Sequence, residues 1–93
     1  MQTIIQFVGI EPIDAVEKLT QKKLDKLARK FSSIIRAEVF FKEEPDSTGK
    51  GKICDIRLSL PGPRIHATSD ESTFESAAAE TVNDLERQLK KRK

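Results

Sequence analysis

Apolar and polar positions alternate with different periods along the chain, and each change of period marks an element. In QTIIQFV, Ile5 and Phe7 fall on one side and Ile4 and Val8 on the other, a β-rich pattern read as a strand from Gln2 to Val8. Gly9 ends it, and Pro12 suits a helix entry, where a fixed φ and a missing N–H cost little. From Ile13 to Phe31, the residues Ile13, Val16, Leu24, Leu27 and Phe31 recur at three, four or multiples of those spacings. Helical geometry gathers them on one face, with Leu19 at its edge. Arg36 to Glu43 sets Ala37, Val39 and Phe41 against Glu38, Phe40 and Lys42, which predicts a second strand. Glu43 to Lys52, EEPDSTGKGK, collects Pro, Asp, Ser and Gly and is read as a loop, the most mobile part of the domain.

KICDIRLSL has the most regular alternation, with Cys54, Ile56, Leu58 and Leu60 expected inward and Ile53, Asp55, Arg57 and Ser59 outward. Pro61-Gly62-Pro63 turns the chain into RIHATS, where Ile65 and Ala67 face the core and Arg64, His66 and Thr68 face away. So short a connection predicts an antiparallel hairpin. A second helix follows, with Ser72 or Asp70 expected as its cap and Glu75 three residues after Ser72, as in a capping box. Phe74, Ala77, Ala78, Val82, Leu85 and Leu89 form its apolar face, and Ala77-Ala78-Ala79 permits close approach to a sheet. The order β-α-β-β-β-α predicts a two-layer α/β (α+β) sandwich, with two helices packed on one face of a four-stranded sheet.

Composition narrows this picture. Ninety-three residues suffice for one domain, 1–93. The single cysteine, Cys54, excludes an internal disulfide and any zinc site built on paired thiolates. The amino terminus lacks a basic n-region, its apolar run is broken by Gln6, and no stretch approaches the roughly 20 apolar residues of a membrane span. A cytoplasmic protein without membrane contact is expected.

Candidate catalytic chemistry is sparse. His66 is the only histidine and lies on the sheet face that the helices leave uncovered, no G-x-S-x-G element occurs, and Cys54 points inward as a small hydrophobe. Gly49-Lys50-Gly51-Lys52 lacks the spacing and the strand-to-helix setting of a phosphate-binding loop. The acids of the second helix lie on several faces, so no metal cluster is implied. These observations argue against an enzyme and against a cofactor, a metal or a small-molecule substrate.

Charge carries more information. The formal net charge is only +2, yet Lys18 to Lys30 holds six basic residues and one acid, Asp25. Asp70 to Glu86 holds six acids and no base, and from Arg87 onward there are five bases and no acid. Lys18, Lys22, Lys26 and Arg29 form a stripe opposite the apolar face of the first helix, with Lys23 and Lys30 at its boundary. A solvated face is the ordinary explanation of such a stripe. Two features favour polyanion binding: acids are scarce on that face, so i,i+4 ion pairs are mostly unavailable, and the other basic cluster ends the neighbouring helix. In that cluster, cations of the last turn complement the helix dipole, which accounts for Arg87 and Lys90 but not readily for Lys91, Arg92 and Lys93 as well. With Phe40 the only candidate exposed aromatic on the sheet, and an acidic start to the last helix, binding is expected to be led by phosphates and by shape.

The order β-α-β-β-β-α, the Lys22 to Phe31 run, Ile65-His66-Ala67, and Phe74, Val82 and Leu85-Glu86-Arg87-Gln88-Leu89-Lys90-Lys91 together resemble the ribosome hibernation promoting factors. These are also called ribosome-associated translation inhibitors or protein Y, and historically sigma-54 modulation proteins. The resemblance spans essentially the whole chain. It implies a protein that binds the small ribosomal subunit in stationary phase or stress, near the A and P sites in the channel used by messenger and transfer RNA, and so inhibits translation. It maps basic contact positions onto Lys23, Lys26, Arg87, Lys91 and Lys93; the charge pattern adds Lys18, Lys22, Arg29, Lys30, Lys90 and Arg92. Ser72-Thr73-Phe74 departs from the aspartate-methionine-tyrosine of many members, so a tyrosine hydroxyl contact is lost. A short-form member is expected, one ribosome-binding domain without the second domain that pairs ribosomes. The alternatives are a protein-interaction module acting on a transcription factor and a general duplex-RNA binder.

Overall fold

A computed structural model describes residues 1–45 and 47–92, and its elements follow the expected order. They are β1 (Gln2–Phe7), α1 (Asp14–Lys30), β2 (Arg36–Glu43), β3 (Lys52–Ser59), β4 (Ile65–Glu71) and α2 (Phe74–Lys91). The sheet order is β1-β2-β3-β4, with β1 parallel to β2 and the other two pairings antiparallel. The expected hairpin is therefore present as β3–β4, and both helices cover one face in an α+β sandwich.

Register explains the shared core. Ile5 pairs with Val39, Val39 with Ile56, and Ile56 with Ala67, so period-two alternation sends one row from all four strands to the same side. Val39, Ile56, Leu58, Leu24, Leu27 and Leu85 are almost wholly buried there. Phe41 stacks on Phe7 at 5.1 Å and meets Phe74 edge-on at 5.6 Å, closing the end of the core nearest the start of α2. Ala77 and Ala78 are fully buried, and this smallness lets α2 come close enough for the Thr81 hydroxyl to donate to the Cys54 carbonyl at 3.2 Å. Burial pushes the Cys54 thiol from 9.0 up to about 12; the neighbouring Asp55 charge adds to this, and a hydrogen bond with Thr81 partly offsets it.

Several expectations require correction. Ser72 and Asp70 do not cap α2: Thr73 does, with its hydroxyl accepting from the Ser76 N–H at 3.0 Å, so no Ser72–Glu75 capping box forms. Asp70 still belongs to β4 and accepts from the Gly51 N–H at 2.7 Å, anchoring the β2–β3 loop instead. β4 thus runs to Glu71, beyond the expected end at Ser69, because its pairing with β3 continues to Lys52, the first residue of β3. Ile13 is not core. It is the extended N-cap residue of α1, 38% exposed, since the helix proper starts one residue later and the helical wheel does not apply to it. Ile53 lies on the helix-free face as its alternation requires, yet it is buried between its register neighbours Lys42 and Asp70.

Sequence periodicity also passed over Thr20 and Thr81, both fully buried. Each hydroxyl donates to the carbonyl four residues earlier, at 2.7 Å, so a polar side chain occupies an apolar position without an orphaned group.

The topology fixes the direction of the helices. Two antiparallel pairings make β4 run parallel to β2, and each helix returns against the strand it follows. In α2, Gln88 reaches the His66 carbonyl and Arg92 reaches those of Pro61 and Pro63, so its last turns lie beside the β3–β4 turn. The two helices consequently run in the same direction, and their C-terminal turns share one end of the molecule. No described helix is long and apolar enough to cross a membrane.

Candidate nucleic-acid interface

α1 places its cations by simple geometry. Its buried face holds Val16, Thr20, Leu24 and Leu27, so Lys18, Lys22, Lys26 and Arg29 are driven to the opposite, exposed face. They line a shallow groove of about 360 Å³ together with Gln21 and Asp25. Lys18 is not free, since it pairs with Asp14 at 3.0 Å across one helical turn. Both side chains are more than three-quarters exposed, so that pair contributes little and is readily exchanged for another anion. Among the described residues Lys22, Lys23, Lys26 and Arg29 have no ion pair. Asp25, the one acid of this run, lines the same groove and accepts a hydrogen bond from the Gln21 amide at 2.9 Å.

Between the helices lies a second cleft of about 260 Å³, lined by Lys23, Lys26, Leu27 and Lys30 from α1 and Val82, Asn83 and Glu86 from α2. Glu86 spans it, with Oε1 3.3 Å from the Lys30 ammonium and Oε2 3.1 Å from that of Lys90. Hydrogen bonds from Lys90 and then Lys30 hold its carboxyl below the usual range. Farther out on α2, Arg87 lies 3.7 Å from Asp84, and Lys91 has no ion pair among the described residues. Lys93 lies outside the described residues.

Arg92 has a different use. Its guanidinium donates to the carbonyls of Pro63 at 2.8 Å and Pro61 at 3.2 Å, clamping the β3–β4 turn to the end of α2. Gly62 in that turn has φ of +91°, and a Cβ there would stand 3.1 Å from the Arg92 Nη2, so glycine serves both the turn and the clamp. The clamp also brings exposed Arg64 to the basic end. Sequence reasoning missed this cation, although the antiparallel run of α2 along β4 could have placed it there.

The helix-free face is not a bare stacking platform. Phe40 is half-buried and covered by the Arg57 guanidinium, 5.4 Å from its ring centroid. His66 Nε2 lies 2.6 Å from an Asp55 carboxylate oxygen and 3.2 Å from the Thr68 hydroxyl, and Arg36 lies 3.6 Å from Glu38. Charges of both signs are interleaved there. The unbalanced positive surface belongs to the helix layer, where parallel helices put Arg29, Lys30, Lys90 and Lys91 at one end and Asp14, Glu17 and Glu75 at the other. That polarity complements both helix dipoles, and the uncommitted cations exceed what the dipoles require.

A profile of the family described as sigma 54 modulation protein / S30EA ribosomal protein matches residues 3–93. The chain belongs to this family. The resemblance to ribosome hibernation factors carried by the Lys22 to Phe31 run and by the end of α2 is thus a family relationship. Solved structures agree with this S30EA fold. A ribosomal subunit interface protein from Coxiella burnetii superposes with a TM-score of 0.84 at 26% identity, over 98% of this chain and 96% of that one. The N-terminal domain of Thermus thermophilus Protein Y superposes with a TM-score of 0.79 at 25% identity, over 97% of each chain. No curated protein sequence matches the chain.

Proposed function

We propose that this S30EA-family chain is a non-enzymatic translation inhibitor of the cytoplasm. It binds the small ribosomal subunit through its two-helix basic surface and, in stationary phase or stress, fills the channel that messenger and transfer RNA use near the A and P sites. Lys22, Lys23, Lys26 and Arg29 of α1, with Lys91 of α2, contact rRNA phosphates; Lys18, Lys30, Arg87 and Lys90 join them by exchanging their carboxylate partners. Arg92 shapes the same end through its clamp, and Lys93, outside the described residues, is assigned to RNA contact as well.

The observation that carries this reading is a set of cations without ion-pair partners among the described residues, Lys22, Lys23, Lys26, Arg29 and Lys91, presented by two parallel helices in a member of a ribosomal-protein family. The physical logic is positional. Phosphate contacts fix orientation on RNA without reading sequence, so selectivity comes from the spacing of cations on a rigid two-layer scaffold. Inhibition then needs no chemistry, only a folded body held where the ligands of the ribosome would run. The names of the two structural relatives, a ribosomal subunit interface protein and Protein Y, support the ribosome as partner.

Chemical footprinting of small-subunit rRNA with and without the protein tests this reading. Protection confined to nucleotides that line the messenger and transfer RNA path is expected. Protection only on the solvent side of the subunit would refute the occlusion mechanism.

A further inference from the structure

We infer that the inter-helix cleft is a phosphodiester site which the free protein fills with its own Glu86 carboxylate, and that RNA binding displaces this carboxylate. The inference rests on the proposed RNA-binding role of the helix layer and adds the group that regulates its affinity.

The chemistry of the match is direct. A carboxylate offers two oxygens sharing one negative charge, and a phosphodiester offers two non-bridging oxygens sharing one negative charge. In the free protein the two Glu86 oxygens are divided between helices, one toward Lys30 at 3.3 Å and one toward Lys90 at 3.1 Å. Lys23 and Lys26 line the same cleft without an ion pair among the described residues, and Asn83 adds an exposed amide to its wall. Spacings of three and four place Lys23, Lys26 and Lys30 on adjoining turns of α1, where like charges repel. One carboxylate relieves part of that repulsion and leaves the cleft positive.

A purely structural tie between helices would explain the Lys30 contact but not the surplus. The tie itself is weak: the Lys30 and Lys90 side chains are 49% and 63% exposed, so solvent and salt screen both pairs. A phosphate backbone brought in by the outer cations, Lys22 and Arg29, can compete for the same two ammonium groups. Glu86 swings outward through its own rotamers, and no backbone movement is required. The carboxylate therefore acts as an internal competitor. It lowers affinity for isolated RNA helices, which engage few cations at once, more than for a rigid surface that engages the whole layer.

The test compares wild type with Glu86→Gln and Glu86→Asp by fluorescence anisotropy, using a short RNA duplex of arbitrary sequence and purified small subunits, across a salt series. Glu86→Gln is expected to bind the duplex about two- to fivefold more tightly at about 100 mM salt, the scale of one exposed ion pair. Because RNA seats the same phosphate in both proteins, its slope of log K against log[salt] should stay within about 0.9, one phosphate contact, of the wild-type slope. Glu86→Asp, which keeps the charge, should stay near wild type. Equal or weaker duplex binding by Glu86→Gln, while wild type still binds small subunits, would overturn the competitor and leave the ribosome reading standing. Failure of every protein to bind either RNA would overturn both.

Discussion

Replacing Lys23, Lys26, Arg87 and Lys91 together separates a phosphate-led complex from an apolar one. The structure makes these positions informative because the fold does not depend on them. Lys23, Lys26 and Lys91 have no ion pair among the described residues, and Arg87 meets Asp84 only at 3.7 Å with both side chains substantially exposed. Changing all four to alanine should therefore shift stability by less than about 1 kcal/mol in total. Binding should change far more. Each phosphate neutralised on a duplex contributes about 0.9 to the slope of log K against log[salt], so four contacts contribute about 3.6. Over a rise from about 50 to about 200 mM salt, wild type should then lose roughly 150-fold more affinity than the alanine variant. The assay is anisotropy of dye-labelled protein titrated with small subunits at four or five salt concentrations, alongside thermal melts to confirm the fold. Unchanged affinity and slope in the folded variant would refute the assignment of these cations to RNA. A near-zero slope in wild type itself would favour a protein partner, such as a transcription factor.

Three further outcomes test the structure beneath the site. Thr73→Ala should cost about 1 kcal/mol in urea unfolding, the value of one N-cap, while Ser72→Ala should be nearly neutral; the reverse order would restore Ser72 as the cap. Leu85→Ala, at a fully buried position of α2, should cost about 2–5 kcal/mol by the same measurement, and a loss under 1 kcal/mol would contradict the packing of α2 on the sheet. Cys54 should resist thiol reagents at about pH 8 in the folded protein and react on unfolding, because burial raises its folded pKa to about 12 while the unfolded thiol titrates near 9.0. The sign follows from proton uptake. Above the unfolded value the unfolded chain holds fewer protons, so stability is full below that value and falls as pH rises toward the folded one. Between about pH 9 and 10 wild type should lose about 1 kcal/mol more than Cys54→Ala, and equal pH slopes would contradict it.

Much of the fold was legible because a single-layer sheet with one covered face imposes clear periods. Cys54, Ile56 and Leu58 alternate without interruption, and Val16, Leu24 and Leu27 keep helical spacing, so element type and topology followed from the pattern. What escaped lies where a side chain does something other than its type suggests. Thr20 and Thr81 read as polar yet are buried, since their hydroxyls bond to their own helices. Asp70 looked like a cap and instead holds Gly51, a contact between residues that only strand pairing brings together. The basic stripe of α1 was visible as charge, but which cations remain free was not. That Lys18 pairs with Asp14 could be foreseen from i,i+4 spacing; that Glu86 bridges Lys30 and Lys90, or that Arg92 clamps a turn near thirty residues away in sequence, needed the helix packing.

In the proposed function two parallel helices hold the chain on the small subunit. Sedimentation of a mixture of protein and separated subunits through a sucrose gradient tests it most directly. Wild type should travel with the small subunit, while the variant with glutamate at positions 23, 26, 87 and 91, shown to be folded, should remain at the top. Wild type remaining at the top, or both proteins travelling with the small subunit alike, would rule out this mode of binding.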